Sequence, residues 1–182
     1  MIIGRVLIVG LGSIGQRHLR LARMLLPQAD IRVLRHQPCK DLPEYANGCF
    51  FQLDDAIAFA PQLAVIASPA TFHLSTAMAL ANVGTHLFVE MLLASELEDV
   101  VELIACYQSK HVVLLSDYKP RFLPLPQKFR MLVHPNAIAS VRSVRCDIGH
   151  YLTTWWPGSN YSLGRAACEL HTWLLCVAKG KP

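Results

Sequence analysis

The sequence predicts an α/β fold: a Rossmann doubly wound parallel sheet followed by a partial second α/β domain. Three observations carry that reading. First, the strand-like run Arg5-Val6-Leu7-Ile8-Val9 enters the glycine-rich turn Gly10-Leu11-Gly12-Ser13-Ile14-Gly15, then Gln16-Arg17-His18-Leu19-Arg20 at helical spacing. Second, strand and helix patterns alternate through the first two thirds, which right-handed βαβ units on a parallel sheet require. Third, the alternation stops near Arg121, which sets the expected division into residues 1–120 and 121–182.

The glycine turn is the part with chemical meaning. Gly10 permits a tight turn, Gly12 lets the backbone approach a pyrophosphate, and Gly15 lets the helix lie close to the strand. The free N–H groups at the helix start carry a partial charge of ~0.5 and suit an anion. Gly10, Gly12, Ser13, Ile14 and Gly15 are therefore the expected cofactor-binding cradle. A βα turn without ligand is the competing reading.

The remaining elements follow in order. The first helix is expected over Ser13 to Leu26 and is stopped by Pro27. Ile31 to Leu34 reads as the second strand, Cys49 to Phe51 as a short third, and Asp54 to Phe59 as a short helix ended by Pro61. Leu63 to Ala67 is continuously apolar, as a strand covered on both faces should be. Thr71 to Ala81 reads as a helix closed near Gly84, and His86 to Val89 as the next strand. Ser95 with Glu98 forms a capping box for a further helix, and Val112 to Leu115 is the last strand of the series. Phe122 to Val133 has helical spacing, and Ile138 to Ile148 alternates as a strand does.

Composition narrows the function classes. The chain has 182 residues, 53% of them hydrophobic and 16% charged, which fits a large packed core and not disorder. No apolar run approaches the ~18 residues that span a bilayer, and the apolar start reads as a strand and not a leader, so a cytoplasmic location and no membrane partner are expected. The six cysteines form no CxxC pair and no zinc spacing, so buried free thiols and no metal are expected. A net charge of +4 with scattered basic residues argues against a nucleic-acid partner. Arg17, Arg20 and Arg23 on the first helix read as a solvated face.

Several strings together resemble the glucose–fructose oxidoreductase / inositol dehydrogenase / MocA family of NAD(P)-dependent oxidoreductases. They are GLGSIGQRHLRL, VIASPATFHLSTAMALANVGTHLFVE, YKPRFLP and GHYLTTWWPGSNY, spread over residues 1 to about 160. The resemblance implies hydride transfer between NADP or NAD and a hydroxyl or ketone carbon of a sugar, amino sugar or cyclitol. It implies that Ser68, Pro69, His73 and Glu90 border the cofactor, and that His150, Tyr151 and Trp156 are sugar contacts. It also implies a second domain longer than residues 121–182, which would be a truncated substrate or oligomerisation domain and the expected seat of homo-oligomer contacts.

Two departures from the family pattern bear on chemistry. Met91-Leu92 stand where the resemblance implies Lys-Pro. A thioether cannot donate a proton, and loss of a positioned acid or base costs ~10²–10⁴ in rate. Further on, Glu169 and His171 are two apart, where the family pattern has an acid and a histidine three apart on one helical face. Lys119 and His171 are the candidate replacements for proton transfer, against the plainer readings of a surface lysine and an exposed histidine. A catalytically silent dinucleotide-binding protein and a shortened gene product are the alternatives. Arg35, followed by His36, stands 20 residues beyond Gly15, where an NAD-selective fold carries an acid. A guanidinium there suits a 2′-phosphate; otherwise it is a solvated strand-end arginine.

Overall fold

The computed structural model describes residues 3–37, 41–91, 93, 97–117 and 122–133. The chain divides into two units, Met1–Asp117 and Tyr118–Pro182. In the first, six parallel strands lie in the order β3-β2-β1-β4-β5-β6. These are β1 (Arg5–Val9), β2 (Asp30–Leu34), β3 (Gly48–Phe50), β4 (Leu63–Ile66), β5 (His86–Val89) and β6 (Leu114–Ser116). The order reverses between β1 and β4, and a crevice at that point is where doubly wound sheets take ligands.

Alternation along the strands sends side chains to two separate cores. Val6, Ile8, Ile31, Val33 and Val65 meet Leu19 of helix α1 (Ser13–Leu25) on one face. Leu7, Val9, Ala64, Ile66, Leu87 and Val89 meet the other three helices on the opposite face. Those helices are α2 (Leu53–Ala58), α3 (His73–Asn82) and α4 (Leu97–Lys110). Small residues at the contact, Ala77 and Ala81 of α3 and Ala56 of α2, are fully buried. Two apolar faces on one sheet explain why β1 and β4 read as unbroken hydrophobic runs.

Local chemistry moves several element ends from their expected positions. The expected helix from Thr71 begins instead as a 3-10 turn, Ala70–Phe72, because the Pro69 carbonyl accepts the Phe72 N–H at 2.9 Å. The last strand starts at Leu114 and not Val112. His111 turns the chain at φ 55°, and the Val113 N–H goes to Nδ1 of His86 at 2.9 Å. The third strand is shifted one residue earlier, to Gly48–Phe50. Gly84 reverses the chain at φ 80° after α3, and β5 occupies His86–Val89 as expected.

In the second unit the described residues include one helix, α5 (Pro124–Val133). It starts later than Phe122 because Pro124 and Pro126, lacking N–H groups, fit only a first helical turn. The expected strand at Ile138–Ile148 and the capping residue Ser95 lie outside the described residues. Among the described residues no helix is long and apolar enough to cross a membrane.

Leu87 is 2% exposed in the middle of the core that α3 and α4 cover, whereas Val101 on α4 is 60% exposed. Leu87→Ala is expected to lower unfolding free energy by about 2–5 kcal/mol in a urea titration. Val101→Ala should stay within about 0.5 kcal/mol of the parent.

Candidate functional site

The carboxyl ends of β1 and β4 meet at Gly10. Its backbone has φ 88°, and a Cβ there would lie 2.8 Å from the Ala67 carbonyl oxygen and from Ser68 Cα. Only glycine fits both restrictions. Gly15 is tighter still, since an added Cβ would sit 2.1 Å from the Gly10 carbonyl oxygen. Gly12 is the opposite case, with nothing within 4 Å of an added Cβ. Two glycines therefore seat the helix on the strand ends, and the third leaves open space above the helix start.

That helix start is prepared for an anion. Gly12 caps α1 without any side-chain hydrogen bond, and no acid occupies the first turn. The first intrahelical bond of the series runs from Gln16 N–H to the Gly12 carbonyl, at 2.9 Å. The N–H groups of Ser13, Ile14 and Gly15 precede it and need an outside acceptor. Ser68 adds a further vacancy in hydrogen bonding: its Oγ is buried and without a partner among the described residues. A diphosphate-bearing dinucleotide fits this set of open ground, unspent N–H donors and an orphaned hydroxyl.

His73, expected beside the cofactor, turns inward. It is 1% exposed, and its Nε2 donates to the Ser68 carbonyl at 2.6 Å. Its effect on a ligand is therefore indirect, through the position of the β4 end. Pro69 is exposed beside it. His36 follows β2 and lies against Phe72 of the 3-10 turn after β4, with ring centroids 5.7 Å apart.

Glu90 follows β5 and is not a lone carboxylate. His18 of α1 donates from Nε2 to Glu90 Oε1 at 2.7 Å, with the side chains 13% and 12% exposed. The His18 ring also stands edge-on to Phe88, at 5.4 Å between centroids. A ligand-type atom of Asp117, the residue after β6, lies within 4.8 Å of those of His18 and Glu90. One histidine and two carboxylates can serve divalent cations, but here the histidine is already bonded to one of the acids. Sequence reasoning missed His18. Its signal was the three-residue step from Gly15, which places it on the same helical face.

The arginines of α1 also divide. Arg23 is no solvated side chain: it donates to the carbonyls of Pro27 at 3.0 Å, Ala29 at 2.8 Å and Tyr45 at 3.1 Å. Arg17 and Arg20, with Arg35, line a cavity of about 630 Å³ beside the glycine turn. Met91 is half-buried after Glu90. Lys119, Tyr151, Trp156 and His171 lie outside the described residues, so the candidate proton-transfer and sugar contacts are not placed.

The two kinds of glycine predict two kinds of failure. Gly12→Ala should cost the fold no more than about 1 kcal/mol yet weaken dinucleotide binding by crowding its approach. Gly15→Ala should cost about 1–3 kcal/mol through overpacking and weaken binding as well. Thermal melts paired with NADH and NADPH fluorescence titrations read both effects.

The wider comparisons bear on the same segment. A comparison with curated protein sequences gives no significant match. Among solved structures, a probable dehydrogenase from Thermotoga maritima is 21% identical with a TM-score of 0.62, covering 71% of this chain and 40% of that one. The myo-inositol 2-dehydrogenase from Lactobacillus plantarum is 19% identical with a TM-score of 0.62, covering 72% and 41%. The WlbA dehydrogenase from Bordetella pertussis, solved with NADH and UDP-GlcNAcA, is 20% identical with a TM-score of 0.61, covering 72% and 42%. The chain thus spans about two fifths of the length of these structures, and at such identities the likeness is one of fold. The GFO/IDH/MocA family, described as an oxidoreductase family with an NAD-binding Rossmann fold, matches residues 4–118, and the chain belongs to that family.

Proposed function

We propose that this chain binds a nicotinamide dinucleotide at the β1–β4 crevice and serves hydride transfer to or from a hydroxyl or ketone carbon of a sugar, amino sugar or cyclitol. The observation that carries the proposal is the glycine cradle: Gly10 and Gly15 locked by contact, Gly12 open above unspent helix donors. Gly12, Ser13, Ile14 and Gly15 would hold the diphosphate, Ser68 and Pro69 would border it, and Arg35 with His36 would face the adenosine side. The chemistry the group supplies when bound is hydride exchange at its nicotinamide ring. The proposed substrate class is supported by similar structures named as a myo-inositol 2-dehydrogenase or solved with UDP-GlcNAcA.

Moving a hydride from a carbinol carbon also requires its hydroxyl proton to leave. Lys119 and His171 are the side chains proposed for that proton, and Tyr151 and Trp156 for sugar contact. A cytoplasmic location and homo-oligomer contact through residues 121–182 belong to the same proposal. A second reading, a silent dinucleotide-binding protein, is favoured by Met91 beside Glu90, since a thioether cannot carry a proton.

The test combines NADH and NADPH fluorescence titration with nicotinamide absorbance assays on myo-inositol, scyllo-inositol and UDP-N-acetylglucosamine. Binding with turnover is the expected result. A Met91→Lys, Leu92→Pro variant should then gain about 10²–10⁴ in rate if a positioned ammonium is what the site lacks. Binding without turnover in either form supports the silent binder. Failure to bind either dinucleotide sinks both readings.

A further inference from the structure

We propose that His18, Glu90 and Asp117 form a binding site for one divalent transition-metal ion, Zn²⁺ foremost. The proposal goes beyond the dinucleotide reading and does not depend on it. One ligand-type atom from each residue, an imidazole nitrogen and two carboxylate oxygens, lies within 4.8 Å of the other two. An imidazole with two carboxylates is a donor set that suits zinc better than magnesium, which favours oxygen alone.

The three ligands come from three elements of the first unit, each fixed by its own backbone contacts. Glu90 follows β5, and its N–H donates to the Ile66 carbonyl at 2.9 Å. Asp117 follows β6, and its N–H donates to the Val89 carbonyl at 2.8 Å. His18 stands on α1 one residue before the buried Leu19, with Phe88 edge-on to its ring at 5.4 Å between centroids. A metal site needs ligands supported in this way, because loosely held ligands lose affinity.

The hydrogen bond from His18 Nε2 to Glu90 Oε1, at 2.7 Å, is the counter-argument. A neutral imidazole carries its proton on either nitrogen. With the proton on Nδ1, the Nε2 lone pair faces the carboxylate, and a cation between the two acceptors takes the place of the hydrogen. Ligands on a tetrahedral ion with bonds of about 2.1 Å stand about 3.4 Å apart. The pair therefore opens on binding, and Asp117 closes on it, by movements on the order of 1 Å.

Charge points the same way. Glu90 and Asp117 bring two carboxylates to one place, and the Glu90 side chain is only 12% exposed. Carboxylates this close repel each other, and a dication between them offsets both charges. Met91, next in the chain, adds no positive charge. The cysteine pattern, from which no metal was expected, is silent about this cluster, which uses no thiol and joins residues 72 positions apart. Three protein ligands leave the fourth position of a tetrahedral ion to water or a ligand hydroxyl, as catalytic zinc sites do.

The test uses the full chain, stripped with a chelator and titrated with Zn²⁺ and Mg²⁺ in the absence of dinucleotide. The expected result is one equivalent of Zn²⁺ bound with a Kd of about 1 μM or tighter, and Mg²⁺ at least about 100-fold weaker. Asp117→Asn should weaken Zn²⁺ binding at least about tenfold, and His18→Gln at least about 100-fold. Because the chain has six cysteines, Co²⁺ is the second probe, and it reads the unmodified chain without any variant. One equivalent of Co²⁺ should give the visible bands of a nitrogen–oxygen site and no thiolate charge-transfer band. A thiolate band at one equivalent overturns the proposal, as does Zn²⁺ affinity unchanged in Asp117→Asn. Failure of the stripped chain to take up Zn²⁺ overturns it as well. Each of these failures leaves the dinucleotide reading standing, since the NADH and NADPH titrations test that reading separately.

Discussion

The contact between Gly15 and the Gly10 carbonyl sets the geometry of everything α1 presents. No side chain fits between them, since even a methyl carbon would lie 2.1 Å from that oxygen. The helix is therefore fixed in height and rotation against the ends of β1 and β4. Once its rotation is fixed, the 3.6-residue period dictates the rest. His18 and Leu19 turn to the sheet, the first bonded to Glu90 and the second buried in the core. Arg17 and Arg20 turn to the cavity at the β2 end. A single backbone approach thus distributes one cationic and one acidic region along the same sheet edge.

That division is visible residue by residue at the strand ends. Arg35 follows β2, while Glu90 follows β5 and Asp117 follows β6. The glycine turn and Ser68 lie between them, at the reversal in strand order. The acids on the β5–β6 side meet His18, which takes up one carboxylate in a short hydrogen bond. Arg17, Arg20 and Arg35, at the cavity on the β2 side, meet no such partner among the described residues. Burial explains the difference, because a carboxylate only 12% exposed must be paired, whereas guanidinium groups at an open cavity can stay solvated until an anion arrives.

The fold was legible in the sequence because its signals are local. The apolar runs of β1 and β4 report a sheet covered twice, and three glycines at fixed spacing report the first turn. Boundaries were less legible where a tertiary bond decides them. Nothing near Val113 in the chain announces that its N–H belongs to the imidazole of His86, 27 residues earlier. The site divides in the same way. Spacing pointed to the glycine turn and Arg35, and the family resemblance to Ser68, but the inward turn of His73 depends on the Ser68 carbonyl being 2.6 Å away. The His18–Glu90 pair spans 72 residues and exists only because α1 is seated as it is. Arg23, read as solvated, is the clearest case. Its partners are carbonyls, and carbonyls carry no sequence signal.

Binding and reaction make separate demands on this chain. The features that favour a dinucleotide lie between Gly10 and Pro69, within the unit that ends at Asp117. They are backbone geometry, helix N–H groups and guanidinium groups, none of which moves a proton at neutral pH. At the end of β5 the proton problem is sharper, because Glu90 is bonded to His18 and the next side chain is a thioether. Cofactor affinity can therefore survive intact where turnover does not, and the two must be measured as independent quantities. Met91 lies after the end of β5, whereas the diphosphate cradle is built by β1, α1 and β4. A chain that binds well and turns over poorly would be showing the separation that this arrangement of strand ends imposes.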